Sequence, residues 1–178
     1  DRREGSRLIG LGPADPCLQC LLGLLRDPRS AHSVSLADWD KTIRLARQAR
    51  LLGVLAHRIQ SQAECLEKVP DCVLGHLRSA TAYSEHRVQM LRIELAALAY
   101  ALPVELPVAV LKGAAYIVQD LELARGRLPS DVDLLVSRGQ LDQAEAALHD
   151  AGWVAEAGDA YVERYYREWS HELPPMRF

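Results

Sequence analysis

Apolar residues recur along the chain at two different periods, and the change from one to the other falls near residue 107. Before that point the period is helical. Residues 15–26 (DPCLQCLLGLLR) predict a short helix with Asp15 as N-cap and Pro16 at the first helical position, where its missing N–H costs no bond. Residues 27–34, with Pro28 and Ser30, read as a polar turn. Ser35 then caps a second helix whose Leu36, Trp39, Ile43, Leu45 and Ala46 mark a buried stripe, with Asp38 placed to return a capping-box bond. Gly53 is expected to break this run, after which Val54, Leu55 and Ile59 continue it. A boundary at Pro70-Asp71 precedes the longest periodic stretch, 72–102, where Val73, Leu77, Leu91, Leu95 and Leu98 keep helical spacing and predict one long helix.

Pro103 and Pro107 end that helix, and extended segments then alternate with short helices. The pattern predicts strand 108–111, helix 114–122, a turn over 125–130, strand 131–136, helix 140–151 closed by Gly152, and strand 153–157. His171-Glu172-Leu173 reads as the start of a further strand cut by Pro174-Pro175. Tyr161, Tyr165 and Trp169 are spaced as an amphipathic helix would bury them, so core packing is preferred to base stacking. The expected fold class is α/β in the α+β sense: a helical region, 1–102, followed by a small mixed-sheet domain, 103–178.

Composition adds limits. At 178 residues and 49% hydrophobic the chain can bury a real core, and a formal charge of −3 gives no global reason to expect a polyanionic partner. The most apolar region, 95–111, is interrupted by Pro103, Glu105 and Pro107, so no membrane span is predicted and the cytoplasm is the expected compartment. The lone C-x-x-C of Cys17 and Cys20 lacks a second ligand pair at zinc spacing and shares a helical stripe with Leu21, Leu24 and Leu25. Packing is therefore preferred there to metal or redox chemistry. His57, His76 and His86 show no ligand spacing.

One stretch, 108–136, suggests chemistry. On a strand, residues i and i+2 share a face, so Asp131 and Asp133 project together while Val132 turns inward. Two adjacent carboxylates repel unless a cation lies between them, and Mg²⁺, with Mn²⁺ as its alternative, suits a few carboxylates plus substrate phosphates. Upstream, Gly113 allows close approach of the backbone to a ligand, and the first amides of the following helix can face an anion. Taken alone, Asp-x-Asp is as readily a solvated strand edge, and Lys-Gly a common turn.

The order apolar strand, Lys112-Gly113-Ala114, helix, Arg127 and Asp131-Val132-Asp133-Leu134-Leu135-Val136 resembles the uncharacterised nucleotidyltransferase family of the DNA polymerase beta superfamily. The later helix over 141–151 and Gly152-Trp153 extend the likeness. The resemblance implies transfer of a nucleoside monophosphate from a nucleoside triphosphate to a hydroxyl acceptor on a protein, an RNA or a small molecule. It also implies metal held by Asp131 and Asp133, and nucleotide bound by Lys112, Gly113, Ala114, Arg127 and Ser130. Ala114 stands where the superfamily usually has Ser, which removes one hydroxyl from phosphate binding. The superfamily's third carboxylate has no convincing counterpart among Glu163, Glu168 and Glu172, and it is expected beyond Phe178. His171 matches a position where the family often has His. The alternatives are a nucleotide-binding regulatory or antitoxin-like module without full catalytic equipment, and a helical interaction protein.

Overall fold

The structure is a computed structural model that describes residues 15–156, 161, 164–170 and 172–178. It is an α+β fold, helical in its first part, with two small antiparallel ribbons following. The chain divides into two compact units, one running up to Gln89 and including Tyr116–Ser130, the other comprising Met90–Ala115 and Asp131–Phe178.

Helices built on well-placed caps dominate the first unit. In α1 (Pro16–Arg26) the Asp15 carboxylate accepts from the N–H groups of Cys17 and Leu18, answering two of the donors a helix start leaves without partners. The segment expected as a polar turn is a 3-10 helix, Pro28–Ser33, capped by Asp27, with Pro28 and Ala31 buried. Ser35 caps α2 (Leu36–Gln48) by accepting from the Asp38 N–H, and its hydroxyl donates to the Asp38 carboxylate.

Trp39, Thr42, Ile43 and Ala46 form the buried stripe of α2, while Leu36 is exposed, since correct phase does not bring a partner to a helix's first turn. The break after α2 falls at residues 49–51, where Arg50 takes a left-handed φ of 58°. Gly53 instead lies inside α3 (Leu52–Gln60), and the chain at Gly126 passes so close that a Cβ on either glycine would collide with the other's backbone. The short α4 (Ala63–Leu66) leads to α5 (Asp71–Ala101), one continuous helix as its period predicts. Leu21, Leu24, Trp39, Leu55, Ile59 and Leu77 are almost wholly buried in one cluster. Cys65 joins it, and burial first, then Asp15, pushes the Cys17 thiol upward, which disfavours a reactive thiolate.

In the second unit β1 (Val108–Val110) pairs antiparallel with β2 (Leu134–Val136), Ala109 lying opposite Leu135. Strand β2 begins three residues later than the pattern predicts, so Asp131, Val132 and Asp133 lead into it rather than open it. Leu135 is 57% exposed although the run Leu134-Leu135-Val136 reads as buried, because this ribbon covers one face only. Between the strands α6 (Lys112–Val118) starts and ends earlier than the sequence predicts. After β2 come α7 (Leu141–Asp150) and Gly152, whose φ of 95° suits glycine alone. Leu98, Leu148 and Trp153 make a small core with Val132, Leu134 and Met176 against it.

Strand β3 (Val154–Ala155) pairs with β4 (Met176–Arg177), which forms after Pro174-Pro175 rather than before them, since a ladder needs the N–H that proline lacks. Residue 171 of the expected strand lies outside the described residues. The aromatic tail does not make a core: Tyr161 and Trp169 are each 76% exposed, and Phe178 85%. The π-helical turn Tyr165–Ser170 is fastened by charge instead, with Arg167 Nη2 2.6 Å from Glu145 Oε1 on α7. Among the described residues no helix is long and apolar enough to cross a membrane.

Candidate functional site

Lys112 and Asp133 form an ion pair at the end of the β1–β2 ribbon. Lys112 follows β1 and starts α6 in a left-handed conformation, φ 49°, that non-glycine residues rarely adopt. Two backbone bonds pin it there. The Leu111 N–H donates to the Asp133 carbonyl at 2.9 Å, and the Ala115 N–H to the Leu111 carbonyl at 3.2 Å. The first of these carries the β1–β2 pairing one step beyond the strands, and it sets Asp133 beside Lys112.

The Lys112 ammonium lies 3.0 Å from Asp133 Oδ1. This hydrogen bond, with the Asp133 charge, raises the Lys112 pKa above the ordinary lysine value, and the charges of Asp131 and Glu172 add to the effect. Lys112 therefore stays an ammonium across the physiological range. Asp131 is exposed, whereas Asp133 is half-buried beside the packed Val132.

Gly113 is half-buried and Ala114 fully buried in the first turn of α6. Beside Gly113 it is Lys112 that takes the left-handed backbone. Arg127 and Ser130 belong to the first unit, and both are exposed. The Arg127 guanidinium lies 5.4 Å from the centre of the Tyr116 ring, a cation–π contact. His171 and Glu163 lie outside the described residues, and Glu168 is 3.9 Å from Arg164.

The donor set suits a hard cation brought in with phosphates. Among the described residues no group of three or more His, Cys, Asp or Glu is gathered to hold a metal ion by itself. Two carboxylates two residues apart nevertheless match the way Mg²⁺ binds, through one or two protein oxygens plus water and substrate phosphate. Asp131 and Asp133 would hold it.

Two features escaped the sequence. The charge of Glu172, weighed in the sequence only as an unconvincing third carboxylate, acts on Lys112 from a distant part of the chain. His57 Nε2 lies 2.8 Å from Glu122 Oε1 in the first unit, one helical turn beyond the Gly53–Gly126 approach. A pair of glycines at close-packed positions gives no signal until the chain is folded.

No curated protein and no solved structure matches the chain. The sequence pattern of a family described as uncharacterised nucleotidyltransferase matches residues 35–174, most of the helical part and the whole Lys112 to Trp153 region. The chain therefore belongs to this uncharacterised nucleotidyltransferase family.

Proposed function

We propose that the protein moves a nucleoside monophosphate from a nucleoside triphosphate to a hydroxyl acceptor at the Lys112–Asp133 locus. The observation that supports this reading is the Lys112 ammonium 3.0 Å from Asp133 Oδ1, with Asp131 two residues before it in an acidic unit. Such a setting favours a divalent cation together with the polyphosphate it carries.

In the proposed reaction the acceptor oxygen bonds to the α-phosphorus, the bond to the bridging oxygen breaks, and pyrophosphate leaves. Asp131 and Asp133 hold Mg²⁺, or Mn²⁺ in its stead. The bound ion supplies acidification of the acceptor hydroxyl and charge neutralisation on the leaving oxygens. Lys112 adds a positive charge to the phosphates, and the first amides of α6, at Gly113 and Ala114, donate to phosphate oxygens. Arg127 and Ser130 are assigned to the nucleotide through the family resemblance.

Transfer of each radiolabelled nucleoside triphosphate into a cell-lysate acceptor, with Mg²⁺, tests the proposal. Asp131→Asn and Asp133→Asn should each lower the rate on the order of a hundredfold, the cost of losing other groups that stabilise transition-state charge. Transfer undiminished in both variants would sink the assignment.

One observation favours a second reading, a nucleotide-binding module without catalysis: no third carboxylate completes a metal group among the described residues. Magnesium-dependent, Asp131-dependent triphosphate binding with no transfer to any acceptor would establish that reading over the first.

A further inference from the structure

We propose that Lys112 is a tethered counter-cation that competes with the divalent ion for Asp133 and yields it when a metal–triphosphate complex binds. The inference rests on the metal reading above and adds how that site is regulated. The ammonium occupies the same carboxylate that would take the ion, 3.0 Å from Asp133 Oδ1. Its side chain is 73% exposed against 30% for Asp133, so little packing holds the lysine in place. Leaving Asp133 costs it one ion pair and no burial.

The backbone supports the same conclusion. A left-handed φ of 49° at a lysine is a strained state that persists where neighbours over-determine it, and such residues gather at ligand clamps. Here the Leu111–Asp133 and Leu111–Ala115 backbone bonds hold the residue. The strained backbone fixes the root of the side chain while its tip remains at the surface. Lys112 is thus anchored at its base and exposed at its charge, which leaves room for it to move from carboxylate to phosphate.

The consequence is selectivity for the loaded substrate. Free metal must displace the ammonium from Asp133 and gains nothing from it. Metal bound to a triphosphate offers phosphate oxygens to the displaced lysine, so the charge-assisted bond lost at Asp133 is remade on the ligand. Metal and polyphosphate should therefore bind cooperatively, each raising the other's affinity.

The test measures Mn²⁺ binding to the full chain by electron paramagnetic resonance of the free ion, alone and with inorganic tripolyphosphate, which avoids choosing a base. Lys112→Met should bind Mn²⁺ alone about three- to tenfold more tightly, since an exposed ion pair and one repelling charge are gone. It should bind tripolyphosphate with Mn²⁺ about tenfold more weakly, having lost a charged phosphate ligand. The gain for Mn²⁺ alone should persist at 0.5 M KCl, where longer-range repulsion is screened. Lys112→Gly, whose backbone accepts φ 49° freely, guards against a folding defect and should behave the same way.

Mn²⁺ binding that depends on Asp131 and Asp133 but is equal in wild type and both Lys112 variants overturns this inference and leaves the metal reading standing. Binding unaffected by Asp131→Asn and Asp133→Asn, or absent from every protein, overturns both.

Discussion

The two units of this chain solve the problem of stability differently. The first is packed from large apolar side chains on capped helices, with Trp39, Leu55, Ile59 and Leu77 at 0% exposure. Among its described residues the second gathers Leu98, Leu148 and Trp153 in one small cluster, buries Leu91, Leu106, Ala114 and Ala144 besides, and adds short ribbons and ion pairs such as Arg167–Glu145 and Arg177–Glu156. Their charges differ as well. Residues 1–89 and 116–130 carry 15 basic and 12 acidic side chains, whereas 90–115 and 131–178 carry 6 basic and 12 acidic. An excess of negative charge weakens a compact unit by self-repulsion and lowers the energy of a bound cation. Lys112, with its left-handed backbone, and Asp131 and Asp133 lie in the acidic unit, whose described core cluster is the smaller of the two. A site that must admit and release a charged ligand is expected where stability is lower.

The contrast can be broken at its core first. Trp39→Ala should cost about 3–5 kcal/mol in urea unfolding, and Leu148→Ala about 2–3 kcal/mol, because the second cluster is small and has less structure to leave around a cavity. Equal losses would mean that the second core carries as much as the first. Next in size is Gly126→Ala. Its φ of 73° and its approach to the Gly53 backbone leave no room for a methyl group, so a loss of roughly 1–3 kcal/mol is expected by the same measurement. A variant as stable as the parent would show that the 126 segment is not held against α3.

The smallest effect concerns His57 and Glu122. The hydrogen bond from His57, and then its charge, hold the Glu122 carboxyl below the ordinary glutamate value, with Arg125 and Arg58 adding to the shift. A carboxyl lowered on folding stabilises above its unfolded pKa, and that contribution is lost as pH falls through the folded one. Glu122→Gln should therefore melt slightly below wild type at pH 6, and the gap should close toward pH 3. A gap that widened on acidification would overturn the pairing.

Much of the helical part was legible before folding. Asp15, Pro16, Ser35 and Asp38 announce helix starts through local bonds alone, and the spacing of Val73, Leu77, Leu91 and Leu98 marks α5. Legibility failed where a residue's fate depends on what approaches it. Gly53 reads as a breaker because glycine disfavours helix, yet it is kept in α3 by the chain at Gly126. The aromatic spacing of Tyr161, Tyr165 and Trp169 suggests a core, but no stripe is buried without a facing element.

At the site the division is similar. Sequence alone determined the local order, with an apolar strand before Lys112 and the two acids just ahead of Leu134, since strand period and chain adjacency require nothing beyond neighbours. Only the tertiary structure decided that β2 starts after the acids, that Lys112 takes a left-handed backbone, and that its ammonium rests on Asp133. Those outcomes follow from backbone pairing between Leu111 and Asp133 and from charges distant in sequence, and no local pattern encodes either.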